Sequence, residues 1–324
     1  MLLIGKLLHN LKGEVMSKKE VKLELQVALT DQLYLTVQDS KLRPSAQITR
    51  HHKNGWIKFK CLERLSIFDE SVSLAVLYIA SDEKRSRYLS DKPKSSLGQE
   101  MRKLHDPDNA LAGQDVGLIV ETNLHELASI MGYKRPSKKD MKRISESLER
   151  ISSITISERN EAEKWTSHGA GFIRHRVKDD GKLSIVIMRR LAMAAFGEKG
   201  WVYALLDIDE RNALKGDIAK SVHKWLVAWI FESSKRKSSG PRNIGLDKLA
   251  VHVWPEWESY TASGKATMRQ RLKETLANIN ALPQWSVTVI GKGSSAMVTV
   301  ERLEAVTIKP KLIGATDEPE EDEI

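Results

Sequence analysis

Apolar residues recur along this chain at two periods, and the switch between them predicts the elements. Met141, Ile144, Leu148 and Ile151 recur at spacings of 3, 4 and 3, one stripe of a helix. Ser137 precedes them with Asp140 three residues on, a loose capping box, and Lys138, Lys139, Lys142 and Arg143 fall on the opposite face. A shorter helix lies upstream. Leu124, Leu127, Ala128 and Met131 share a face, Thr122 is its expected N-cap, and Gly132 with the Arg135-Pro136 step ends it. Downstream the period falls to 2 in Ile154–Ile156, Phe172–Val177 and Leu183–Met188, the last two flanking a hairpin turn at Lys178–Gly181.

The same order returns near the C-terminus. Leu246, Leu249, Ala250 and Val253 make a short apolar face ended by Pro255. After a polar stretch, Ser263 is the expected cap of a helix whose stripe is Met268, Leu272, Leu276 and Ile279, ended by Pro283. Trp285–Ile290 and Ala296–Glu301 then alternate as strands around a Gly-rich loop. Each copy is preceded by a further helix, Phe68–Ala80 in one and Asp217–Phe231 in the other. Helix, turn, basic helix and two-stranded ribbon is the order of a winged helix-turn-helix, and it occurs twice. The expected fold class is therefore α+β, with two tandem winged helix-turn-helix domains.

The expected boundaries are 1–60 for an N-terminal extension and strand region, 61–190 and 191–305 for the two domains, and 306–324 for a disordered acidic tail. Arg189–Phe196 reads as a helix joining the domains. Ser81–Gly117, with Pro93, Gly98, Pro107 and Gly113, reads as a long exposed insertion, and Ser233–Arg242 as a short basic loop. Met1–Val15 has two readings, an amphipathic helix or an upstream extension with translation starting at Met16.

Composition narrows the partner. The 324 residues carry 52 bases and 43 acids, a net +9, and six of those acids crowd Asp317–Glu323, leaving +15 on residues 1–316. A basic body with an acidic tail points to a polyanion. The densest apolar run, Val72–Ala80, is too short to span a bilayer. The single cysteine, Cys61, excludes an intrachain disulfide and a cysteine zinc cluster, and the expected compartment is the cytoplasm.

In a helix-turn-helix the second helix enters the major groove, where long polar side chains reach base edges and flanking residues meet phosphates. The candidate DNA contacts are thus Lys265, Thr267, Arg269, Gln270 and Lys273 in the second copy and Lys138, Lys139, Lys142 and Arg143 in the first. Arg174, Arg176 and Lys178 belong to the first wing and Lys292 to the second. For any single lysine, a solvated helix face explains the charge as well. Ser263–Lys273 holds four bases and no acid, whereas Asp140, Glu146 and Glu149 interrupt the first-copy helix. The C-terminal unit is therefore expected to read sequence, and the N-terminal unit to hold phosphate or serve dimerisation. The tryptophans Trp201, Trp225, Trp229, Trp254, Trp257 and Trp285 are expected mostly in the core, with Trp257 open to exposure in the turn.

Catalytic signals are absent, and no enzyme, metal or cofactor is expected. No GxxxxGK[ST] loop appears. His51 and His52, being adjacent, would face opposite sides of a strand and not form a metal pair; a surface loop is expected there. His168 and His175 flank basic residues and either assist phosphate binding or pack. Cys61 reads as a buried structural thiol.

The order of segments resembles the plasmid replication initiators of the TrfA type and the IncQ RepC type over Leu62 to Arg302. The matching stretches are LSIFDESVSLAVLYIAS (65–81), LHELASIMGY, SLERISSITI, GWVYALLDIDERNAL (200–214), VHKWLVAWI (222–230), LDKLAVHVWP (246–255) and TMRQRLKETLANINAL with WSVTV (267–289). The specificity lies in their order. The resemblance implies two winged-helix domains that bind directly repeated sequences (iterons) in double-stranded origin DNA. It also implies opening of an AT-rich segment and recruitment of the host initiator, helicase and polymerase clamp, with no enzymatic activity and an option of homodimerisation. It places DNA contact on Lys265, Arg269, Gln270 and Lys273. Gln32–Thr36 (QLYLT) approaches the clamp motif QLxLF but has Thr in place of Phe, and a plain strand through Leu33, Leu35 and Val37 is the reading adopted. The rival class is a winged-helix transcriptional regulator that represses its own gene.

Overall fold

The structure is a computed structural model that describes residues 19–302 except 31–32, 36–42, 53–54, 83, 91, 106–116, 162–163, 179, 197–202 and 235–239. The readings on Met1–Met16, Gln32, Thr36, Val37, Trp201 and the acidic tail lie outside the described residues. Strand β1 (Glu20–Glu24), helix α1 (Leu25–Ala28), β2 (Tyr34–Leu35), β3 (Ala46–His52), β4 (Gly55–Cys61) and β5 (Leu65–Ser66) lead into α2 (Ile67–Ala80). There follow β6 (Ser86–Leu89), α3 (Ser96–His105), β7 (Gly117–Asn123), α4 (Leu124–Ile130), α5 (Lys138–Ser152), β8 (Thr155–Asn160), β9 (Trp165–Gly171), β10 (Ile173–Val177) and β11 (Lys182–Met188). Then α6 (Arg189–Phe196), β12 (Tyr203–Asp207) and α7 (Ile208–Ala213) connect to α8 (Asp217–Ser234), β13 (Arg242–Gly245), α9 (Leu246–Val253), α10 (Ala262–Asn280), β14 (Trp285–Ile290) and β15 (Met297–Arg302). The protein is a mixed helix-and-sheet, α+β molecule.

Two stretches share one topology. In α2-β7-α4-α5-β10-β11 the antiparallel strands lie side by side as β7-β11-β10. In α8-β13-α9-α10-β14-β15 they lie as β13-β15-β14, the same arrangement. The first unit has additions. Strand β6 extends its sheet past β7, and a separate antiparallel sheet, β3-β4-β8-β9, takes two of its strands from an insertion between α5 and β10.

Local chemistry sets the helix starts. Ser66 with Asp69, and Ser137 with Asp140, form complete capping boxes for α2 and α5. Two expected caps move. Thr122 belongs to β7, whose pairing with β11 extends the chain one residue further, so Asn123 caps α4 by accepting from the Glu126 amide. Thr261, not Ser263, caps α10, accepting from the Gly264 amide at 3.1 Å. Gly132 closes α4 at φ +91°, a conformation open to glycine.

The 81–117 stretch is not simply an exposed insertion. Leu89 of β6 and Met101 of α3 are fully buried against Ile119 and Val186, a small second core on the outer side of the first unit's sheet. His51 and His52 end strand β3 and are not in a loop; extended pairing with β4 carries through both. The main core is continuous across both units, and β1 pairs with β12, so the described N-terminal segment closes on the middle of the chain.

Three buried carboxylates fix the helices. Asp69 on α2 accepts from Ser147 (2.7 Å) and Arg150 (2.8 Å) of α5 and from Arg43 (2.8 Å). Glu70 meets Arg211 of α7 at 2.5 Å and Lys224 of α8 at 2.8 Å, joining the first helices of the two units. Glu210 on α7 accepts from His223 (3.1 Å), the Trp285 indole (3.1 Å) and Arg302 (3.3 Å). Burial alone would raise all three, but these donors and cations outweigh it and hold each below the usual carboxylate range. Among the described residues no helix is long and apolar enough to cross a membrane.

Candidate nucleic-acid interface

Helix α5 is locked from behind. Ile144, Leu148 and Ile151 are fully buried, while Ser147 and Arg150 hold Asp69. What remains outward is basic: Lys138, Lys139, Lys142 and Arg143 are all exposed, as are Lys134 and Arg135 in the turn that feeds the helix. The acids within the helix offset little of this charge. Asp140 is used in the cap, where its hydrogen bonds to Ser137 lower its pKa. Glu146 reaches Lys142 only at 3.9 Å with the lysine 79% exposed, a weak pair. The Arg143 guanidinium lies 3.8 Å from the Phe68 ring centroid, which steadies it without removing its charge.

Helix α10 is built differently. Its buried side is Leu272, Thr275, Leu276 and Ile279. Arg269 makes a bidentate pair with Asp247 of α9, both contacts at 2.7 Å, and Lys265 reaches Glu258 at 3.1 Å. Both cations also stand 5.5 Å from the Trp257 ring centroid. Their side chains are only 17% and 22% exposed. Trp257 is not exposed in the turn, as the sequence left open; it is 2% accessible because these two side chains, Tyr260 and Trp254 enclose it. Thr267 donates to the Ser263 carbonyl (3.2 Å) and Gln270 to Glu274 (2.9 Å), both on the exposed side. Lys273 is half-buried and Arg271 exposed. Arg271 was not singled out as a site residue, although it is one of the four bases in Ser263–Lys273. It borders a cleft of about 500 Å³ with Lys215, Asp217, Trp254 and Glu274.

The ribbons divide similarly. Arg174 turns inward, donating to the carbonyls of Ile154 (3.3 Å), Ile173 (3.0 Å) and Ser152 at the C-terminal end of α5, and burial lowers its pKa. His175 meets Ser152 Oγ at 2.8 Å and packs there, burial pushing its pKa down. Arg176 pairs with Glu100 of α3, and Lys178 with Glu121 of β7 at 3.2 Å. Lys292 is exposed in the β14-β15 loop. Cys61 is buried, its thiol pushed up to about 11 by burial, outside the range of a nucleophile at neutral pH. The described residues contain no group of three or more His, Cys, Asp or Glu placed to hold a metal ion.

Comparison with known proteins places a family on this arrangement. The family model described as Replication protein C (RepC) matches residues 33–298. No curated protein sequence matches the chain. Among solved structures, selenomethionine-derivative crystals of domains 2 and 3 of RctB have a TM-score of 0.49 at 10% identity, covering 87% of this chain and all of that one. A second structure of RctB domains 2–3 has a TM-score of 0.43 at 11% identity, covering 83% and 94%. Both likenesses fall below a TM-score of 0.5, and nothing about the interface rests on them.

Proposed function

The chain belongs to the replication protein C family, and from that membership we propose that it is a plasmid replication initiator that binds directly repeated sequences in double-stranded origin DNA. The two units of equal topology act as winged-helix domains, residues 61–190 and 191–305, each offering its second helix, α5 or α10, to a major groove. Origin opening, recruitment of host initiator, helicase and polymerase clamp, and restraint by dimerisation are the further steps of this reading. No catalytic step of its own is part of it.

One observation carries the proposal: Lys138, Lys139, Lys142 and Arg143 stand together, exposed, on the first turns of a helix whose opposite face is pinned to the core. That arrangement supplies a rigid cationic rod. On α10 the exposed Thr267, Gln270 and Arg271, with half-buried Lys273, are the side chains offered to DNA; Lys292, Arg176 and Lys178 lie on the flanking ribbons.

The test is an anisotropy titration of the full chain against a duplex carrying direct repeats from beside its gene, and against a shuffled duplex. The repeats should bind at least about 1,000-fold tighter at physiological salt. Equal affinity for both duplexes overturns the reading. Sequence-specific binding without autonomous replication of the gene and its flank in a polymerase-deficient host reassigns the protein as a transcriptional regulator.

A further inference from the structure

In the β3-β4-β8-β9 sheet, strands β3, β4 and β8 turn one face to the core and one outside. Ile57, Phe59, Cys61 and Ile156 fill the inner face, each no more than 4% accessible. The outer face holds nine side chains in three cross-strand rows: Gln47-Lys60-Thr155, Thr49-Lys58-Ser157 and His51-Trp56-Arg159. Gln47, Thr49, His51 and Lys60 are exposed and the other five half-buried. None of the nine is a carboxylate. Lys58 Nζ stands 5.2 Å from the Trp56 ring centroid, and Arg159 donates to Glu161, just past the end of β8, at 3.0 Å.

We propose that this sheet face is a second nucleic-acid site, separate from α5 and α10, and that it takes single-stranded DNA. Pleated rows present side chains over an area about 14 Å long and about 10 Å wide, with no element projecting to enter a groove. A duplex would meet this surface only through its backbone; a single strand also turns its bases toward it. Trp56 offers a ring on which a base can stack, a contact that tolerates any base because every base has a π-face. Lys58, Lys60 and Arg159 surround it with positive charge for phosphates, and Thr49, Thr155 and Ser157 supply neutral hydroxyls for base edges. The inference rests on the initiator reading for its ligand, since opening an origin creates a single strand beside the bound duplex. The sheet is placed to receive it: Thr155 begins β8 three residues after α5 ends at Ser152.

The experiment compares the full chain with K58E/K60E and W56F, using fluorescein-labelled oligo(dT) and oligo(rU) of about 20 nucleotides and the repeat duplex. The wild type should bind oligo(dT). K58E/K60E should weaken that binding at least about tenfold and leave duplex affinity within about twofold, and W56F should lose part of the tryptophan quenching that oligo(dT) causes. Duplex binding without oligo(dT) binding overturns this proposal and leaves the initiator reading standing. Oligo(dT) binding without duplex binding does the reverse. Equal losses for both ligands in K58E/K60E make the face part of the duplex site, and tighter binding of oligo(rU) reassigns it to RNA; either result overturns the proposal.

Discussion

Helices α5 and α10 hold equivalent places in two units of one topology, and both begin with bases, yet they dispose of them in opposite ways. In α5 the four bases of the first turns point outward while Arg150 turns in to Asp69, and two of its three acids are spent locally, Asp140 on the cap and Glu146 on a 3.9 Å pair. In α10 two of the candidate DNA contacts, Lys265 and Arg269, fold down on Trp257 and pair with acids from outside the helix, Glu258 and Asp247. Charge counted along one helix is thus a poor guide to charge offered to a partner. A capping acid neutralises little beyond its own turn, while an acid from the preceding helix can claim an arginine outright. Whether the C-terminal unit reads sequence, with the N-terminal unit holding phosphate or serving dimerisation, turns on whether Arg269 leaves Asp247 when DNA arrives.

The comparison presumes that the two helices ride on one body, and Glu70 is where that can be broken. Glu70→Ala leaves Arg211 and Lys224 buried without their carboxylate, so the variant should lose about 3–5 kcal/mol of stability. Urea unfolding with an unchanged midpoint would mean that the joint between α2, α7 and α8 contributes little.

Next in size are the surface charges themselves. K138E/K139E/K142E should lower duplex affinity about 100-fold and reduce the salt slope by about 0.9 for each lost phosphate contact, roughly equally for repeat and shuffled duplexes. Reversing Lys265 in place of these should have less effect, since its ammonium is already held by Glu258 and only 22% exposed. If the two helices respond alike, the contrast between them has no consequence for binding.

A smaller effect separates the roles open to Arg269. If it is structural, R269A and D247A should each cost about 1 kcal/mol of stability and the double variant no more than either, because they remove the same pair. If Arg269 reads a guanine in the complex, R269A alone should cost about 1–3 kcal/mol in specific binding, with D247A affinity retained. A double-mutant cycle read in both unfolding and titration distinguishes these.

The helices were legible in the sequence because each carries its own stripe: Ile144, Leu148 and Ile151, or Leu272, Leu276 and Ile279, need only local spacing to be seen. Both ribbons were legible from alternation and turn glycines; Gly181 and Gly291 lie at φ +79° and +88°. The strands that precede α4 and α9 were not, because β7 (GLIVETN) and β13 (RNIG) are defined by pairing with β11 and β15 far along the chain. The pairing of β1 was hidden for the same reason, since Glu20 pairs with Asp207 and Glu24 with Tyr203, far along the chain. At the interface, residue types were readable but commitments were not. Nothing local to Arg174 says that it turns toward the Ser152 carbonyl at the end of α5, and nothing local to Arg269 says that Asp247 is in reach.

Acid is the gentlest probe of how each unit is held. In the second unit, His223 is completely buried, with Nε2 on Glu210 and its ring 5.2 Å from that of Trp285. Burial lowers its pKa, outweighing the opposite pull of Glu210, so the folded state keeps it neutral. The unfolded chain, titrating near 6.5, takes up a proton that the folded state refuses, so stability present above that pH is lost as pH falls through it. The half-buried His175, against Ser152 in the first unit, contributes in the same direction. The depressed carboxylates add their loss only later. Glu70 and Glu210 do so below about 4.5 and Asp69 below about 3.8, where the unfolded chain binds protons that the folded ion pairs exclude. Urea midpoints should therefore be level from pH 8 to about 7, decline modestly to about 5, and fall steeply below about 4.5. His223→Gln keeps a donor for Glu210 but cannot titrate, and should flatten most of the decline between 7 and 5. A variant profile as steep as the wild type would transfer that decline to His175 and the first unit.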